Sequence, residues 1–153
     1  MTMEDIVFPR SNEEEFLQFG ARFGIDKFIF VYKNVPQKKF PATMVKESFL
    51  SYFSSRNALK KDALVYGLFE TDMKLNQVVC RLANENNCTF LFPFAKILSL
   101  SGAARASFLG KWSYALRLFR KYNVRARPVS FATTPWELRS EEQLISVLDW
   151  LQE

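Results

Sequence analysis

Carboxylates are the first residues to weigh for chemistry, because the chain has no histidine at all. That absence removes the commonest general base, and with it the Ser-His and Cys-His nucleophile pairs. Glu4, Asp5, Glu70 and Asp72 fall near the ends of expected strands or the starts of expected helices. Glu70 and Asp72 follow an expected strand, at the edge where α/β enzymes keep their active groups. Acids in the first turn of a helix also complement its dipole, which is the commoner reason to find them there. No glycine-rich phosphate loop is present, and the chain holds only five glycines. Cys80 and Cys88 are the only cysteines, too few and wrongly spaced for a zinc site, and read as two buried thiols.

Charge gives a stronger signal. From Asn86 to Trp136 there is no Asp or Glu. The same stretch carries Lys96, Arg105, Lys111, Arg117, Arg120, Lys121, Arg125 and Arg127. The rest of the chain has 13 basic and 16 acidic residues, a net of −3 against +5 for the whole. Local basic character of this kind is the footprint of a polyanionic partner, met by phosphate contacts that give affinity without sequence readout. Aromatic residues are interleaved with these cations: Trp112, Tyr114, Phe119, Tyr122 and Trp136. Most are expected in the core. Tyr114 lies off the apolar stripe and is placed for stacking on a base.

The elements that must position these residues alternate between strand and helix. Asp5–Phe8 reads as a short strand. Ser11 to Glu14 reads as a capping box that opens a helix running to Phe23, with Gly24 as its stop. Lys27–Lys33 and Ala63–Phe69 are continuous apolar strands, and Cys88–Phe92 and Arg125–Ala132 follow as further ones. Met44, Val45, Phe49, Tyr52 and Phe53 recur at helical spacing, as do Leu75, Val78, Val79 and Leu82. The longest helix is expected over Ala103–Tyr122. Phe108, Trp112, Ala115, Leu116 and Phe119 lie on one of its faces, with Arg117, Arg120 and Lys121 on the other. Ser140 to Gln143 forms a second capping box before Leu144, Ile145, Leu148 and Leu151. The pattern predicts one α/β domain of 153 residues with a mostly parallel sheet. Five β-α units fall short of a closed eight-stranded barrel, so periodicity alone favours an open doubly wound sheet. No apolar run is long enough to span a bilayer and no signal-like segment begins the chain, so a cytoplasmic location is expected.

Three segments also resemble a known family. LNQVVCRLANENNCTFLFPFAKIL (Leu75 to Leu98), ARASFLGKWSYALRLFRKYNVR (Ala104 to Arg125) and TTPWELRSEEQL (Thr133 to Leu144) are similar to RNase P protein component 3, a subunit of archaeal and eukaryotic RNase P. Arg105-Ala106, the run Arg120 to Val124 and the run Trp136 to Ser140 carry most of the likeness. The chain departs from the family pattern at Gln77, where a His is usual, at Ala95-Lys96, where Arg-Pro is usual, and at Glu141, where a Pro is common. It is also shorter between Tyr32 and Ala63, where the family has at least one more β-α unit.

The resemblance implies a reduced TIM-barrel-like fold with an incomplete edge, open to self-association or cover by a partner. It implies an RNA-binding subunit that supports the catalytic RNA of RNase P in 5′ maturation of pre-tRNA, alongside RNase P protein component 2. No cofactor is bound by the protein; Mg²⁺ enters through the RNA. The RNA-binding residues it suggests are Arg105, Lys111, Lys121, Arg125 and Arg139, to which charge alone adds Arg117 and Arg120; Lys96, one position along from the family's missing Arg, and Arg127, in the same basic stretch, complete the set. For Arg139, a salt bridge to Glu141 or Glu142 is an equal expectation. The residues leave two other readings open: a small metal-dependent α/β hydrolase using Glu70 and Asp72, and an interaction scaffold that binds no RNA.

Overall fold

The apolar runs form seven strands, all of whose ladders are parallel, in a computed structural model that describes residues 3–153. Strands β1 (Met3–Val7), β2 (Ile25–Tyr32) and β3 (Thr43–Lys46) make one sheet in the order β1-β2-β3. Strands β4 (Ser51–Tyr52), β5 (Leu64–Tyr66), β6 (Thr89–Pro93) and β7 (Arg125–Val129) make a second, in the order β4-β5-β6-β7. Register pairs Ile6 with Ile29, Phe30 with Met44, Val65 with Phe90 and Leu91 with Arg127.

The two sheets meet between β1 and the chain that leaves β7. Phe8 N donates to Ala132 O at 2.8 Å and Phe131 N donates to Ile6 O at 3.1 Å. The Asp5 side chain reinforces this seam. One of its oxygens accepts from the backbone N–H groups of Ile6 and Ser130, both at 2.9 Å, and the other accepts from the Ser130 hydroxyl at 2.6 Å. Inside the curved array, Ile6, Ile29, Val31, Leu50, Leu91 and Val129 form one buried cluster drawn from both sheets. The array does not close. β3 and β4 are joined by a 3-10 turn, Glu47–Phe49, and do not pair with each other. The fold is therefore α/β with parallel sheets and alternating β-α units, curled toward a barrel but open.

Five helices cover the outside: α1 (Glu13–Arg22), α2 (Gln77–Glu85), α3 (Phe94–Ser99), α4 (Gly102–Tyr122) and α5 (Glu141–Gln152). On α4 the expected stripe of Phe108, Trp112, Ala115, Leu116 and Phe119 is buried, with Trp112 edge-on to Phe92 at 5.0 Å. Asn123, in the left-handed region at φ 56°, ends α4 and lets Val124 N reach Phe119 O at 2.8 Å. The Ser140–Gln143 capping box forms in both directions, at 3.2 and 3.1 Å. Gly20 allows α1 to press onto β2, since a Cβ there would lie 2.5 Å from the Phe28 ring. No helix is long and apolar enough to cross a membrane, among the described residues.

Two local expectations are corrected. The helix read from Met44 to Phe53 is instead β3, the 3-10 turn and β4. Met44 and Val45 pair with Phe30 and Val31 in a parallel ladder, a long-range contact that the apolar spacing mimicked as a helix. The capping box read at Ser11–Glu14 does not form either. Ser11 adopts φ 57°, and Asn12 holds the cap position, spanning from Arg10 N to Thr133 O with its side-chain amide. Helix α3 was not expected from the sequence; its six residues are too few to show a period.

Candidate nucleic-acid interface

The acid-free stretch builds β6, α3, α4, β7 and the turn after it, so its cations share a framework without forming one cluster. Arg105 and Lys121 stand at opposite ends of α4, about 24 Å apart at 1.5 Å per residue. Two groups result.

The first group is exposed and unengaged. Lys111, Arg117, Lys121 and Arg125 are exposed, and none makes a side-chain hydrogen bond or salt bridge among the described residues. Lys111, Tyr114, Arg117 and Lys121 follow one another along α4 in steps of three, three and four residues, which keeps neighbours on adjoining faces. Tyr114 is half exposed in this row, as its place off the apolar stripe implied. Lys121 lies 5.5 Å from the centroid of the Tyr122 ring, and the Arg81 guanidinium approaches the same ring at 5.8 Å. Arg81, on α2, thus extends the cationic face beyond the acid-free stretch. Sequence alone does not mark it, because Arg81 precedes the acid-free stretch and shares its helix with Glu85, four residues on; only the packing of α2 on α4 singles it out.

The second group is already engaged. Arg105 Nε donates to Ile97 O at 3.0 Å and Leu100 O at 2.8 Å, tying down the end of α3. Arg120 donates to the Gln152 side chain at 2.8 Å, bridging α4 to α5. Arg127 donates to Glu4 O at 2.6 Å and pairs loosely with its carboxylate at 3.6 Å. Arg139 does not pair with Glu141 or Glu142. Its Nη1 donates to Trp136 O and Leu138 O, and its guanidinium lies 5.2 Å from the Phe94 ring centroid. Lys96, half-buried on α3, belongs to neither group, since its side chain makes no hydrogen bond or salt bridge among the described residues.

The C-terminal edge of the strands, where a catalytic site would be sought, is filled by rings. Phe8, Phe131, Tyr66 and Tyr52 form a continuous row, with centroids 5.0, 6.1 and 5.1 Å apart in turn. Burial raises the Tyr66 pKa, helped by the charges of Glu47 and Glu70 nearby. Glu70 and Asp72 themselves are exposed on the loop after β5. No three of His, Cys, Asp and Glu gather as ligands for a metal, among the described residues. Cys80 and Cys88 are buried and free, and burial pushes the Cys80 thiol up to about 11. Trp136, one of the aromatics interleaved with the cations, is 75% exposed.

No protein-family model matches this chain. No curated protein sequence matches it either. Its fold is similar to that of a chain in the cryo-EM structure of archaeal Ribonuclease P with mature tRNA, with a TM-score of 0.67. The likeness covers 97% of this chain and 83% of that one, at 16% sequence identity. At that identity the similarity is one of fold.

Proposed function

We propose that this protein is an RNA-binding subunit of an RNase P-type ribonucleoprotein, of the component 3 kind. The observation that carries the proposal is the exposed cationic row on α4. Lys111, Arg117 and Lys121, continued by Arg125, stand without acidic partners on a fold similar to a chain of an RNase P assembly. A row of cations that make no salt bridge suits the release of counterions from phosphates. The ring-filled strand edge supports a supporting role over one in catalysis by the protein's own side chains.

In this reading the protein neutralises phosphates of the RNase P RNA or of pre-tRNA. It thereby lowers the repulsion between RNA segments that must pack together around Mg²⁺. The RNA supplies the chemistry, hydrolysis of a phosphodiester at the 5′ end of the tRNA. RNase P protein component 2 is the expected protein partner. Equilibrium binding to a cognate RNase P RNA tests the reading, set against an unrelated basic protein of matched charge. Tighter binding than that control supports it. Binding no tighter than the control contradicts it.

A further inference from the structure

The turn that leaves β7 holds one exposed ring with an unusual number of hydrogen bonds. Glu137 Oε1 accepts from the N–H and hydroxyl of Thr133, at 3.0 and 3.1 Å. The same oxygen takes the N–H and hydroxyl of Thr134 at 3.2 and 3.4 Å. Asn12 Nδ2 donates to Thr133 O at 2.9 Å, which ties the turn to the start of α1. Pro135 is buried, and Arg139 closes the far side through the carbonyls of Trp136 and Leu138. At the tip stands Trp136, the most exposed of the large apolar side chains among the described residues. Phe19 packs beside it with the rings tilted by 57°, at a centroid distance of 5.4 Å, and the Arg22 guanidinium lies 5.0 Å from the Phe19 ring.

A large aromatic side chain left in water and fixed there by a braced turn is a preorganised contact, because little ordering entropy remains to be lost on binding. We propose that Trp136 is a stacking platform for an unpaired nucleobase of RNA, with Arg22 placed to meet the phosphate of the same or the next nucleotide. The proposal rests on the RNA-binding reading above and names the part of the RNA that this turn takes. An RNA base fits better than an apolar protein side chain. The ring closes the acid-free stretch, and the half-buried Phe19 beside it carries the guanidinium of Arg22 on its own ring, so a cation rather than an acid lies one ring away. Glu15, one turn before Phe19, is the exposed acid nearest in sequence on that helix. An unpaired base is required because bases inside a duplex do not offer a free face for stacking.

The test uses the full chain carrying Trp150→Phe. Trp150 is the other exposed tryptophan, while Trp112 is fully buried, so Trp136 then reports alone from the surface. Single-stranded oligouridine RNA and an RNA duplex are titrated separately. Binding is followed by anisotropy of a labelled strand, and stacking by the indole emission with unlabelled RNA. The expected result is quenching by the single strand and none by the duplex, with Trp136→Ala weakening single-strand binding about tenfold or more and Trp136→Phe restoring part of it. The exposure of the side chain makes both variants compatible with folding, which circular dichroism checks. Single-strand binding with unquenched emission and unchanged affinity in Trp136→Ala overturns the stacking proposal alone. Absence of any RNA binding overturns the RNA reading itself, and this proposal with it.

Discussion

Asp5 and Ser130, 125 residues apart in sequence, share three groups at the seam between the two sheets: a carboxylate, a backbone N–H at 2.9 Å and a hydroxyl at 2.6 Å. Ser130 Oγ in turn accepts from Ala132 N at 3.2 Å. This bracket does with side chains what a regular ladder does elsewhere, at the one place where the sheet of β1 joins the sheet of β7. Both residues are fully buried.

Replacing Asp5 by Ala therefore strands the N–H groups of Ile6 and Ser130 in the interior. Each orphaned donor costs about 1–3 kcal/mol, so urea denaturation is expected to show a large loss for this one change. An effect as small as that of a surface substitution would contradict the role assigned to the bracket.

The same carboxyl sets a pH dependence. Burial raises its pKa above the ordinary 3.8, against the opposing pull of the Ser130 and Ile6 hydrogen bonds and the Arg127 charge. A carboxyl with a raised folded pKa binds protons more tightly in the native state. Its contribution to stability is greatest below 3.8 and is lost as pH rises through the folded value. Asp5→Asn cannot titrate. Its stability relative to the parent is expected to improve as pH is raised through that window, as measured by denaturation at a series of pH values. Parallel curves for the two proteins would show that Asp5 does not titrate differently on folding.

Much of this architecture is legible in the sequence, and the reason is periodicity. Phe108, Trp112, Ala115, Leu116 and Phe119 announce both a helix and its buried face, and Ser140 with Gln143 announces the start of α5. The region from Met44 to Phe53 is not legible, because its structure is set by pairing with Phe30 and Val31 rather than by local pattern. The site divides in the same way. Charge alone locates the row on α4, but it cannot separate Lys111, Arg117, Lys121 and Arg125 from Arg105, Arg120, Arg127 and Arg139. Those last four are drawn into carbonyls, a side-chain amide and a carboxylate that come from folding. Trp136 is not legible in the sequence for a similar reason: only the brace around Glu137 shows a ring held outward.

That division yields a prediction for α4. Changing Lys111, Arg117 and Lys121 together to Ala is expected to weaken RNA binding with the fold unchanged. If each meets one phosphate, the slope of log K against log salt flattens by about 2 to 3. An unchanged slope would remove this row from the interface.

Arg105 is expected to behave differently from those three. Arg105→Ala removes the donor shared by Ile97 O and Leu100 O and should lower stability by about 1 kcal/mol. Arg105→Lys keeps the charge but not the planar donor, so it should be destabilised almost as much. RNA affinity of the folded protein is expected to stay near the parent value in both. A binding defect in Arg105→Ala that Arg105→Lys repairs would instead make Arg105 a phosphate contact.

The central claim is tested most directly by pre-tRNA cleavage at low Mg²⁺. The reaction would use a cognate RNase P RNA, with and without this protein, and with and without a component 2 partner. Stimulation that requires both proteins, and that fades when Lys111, Arg117 and Lys121 are replaced, is the predicted result. Cleavage at the rate of the RNA alone, with both proteins shown to be folded, would contradict it.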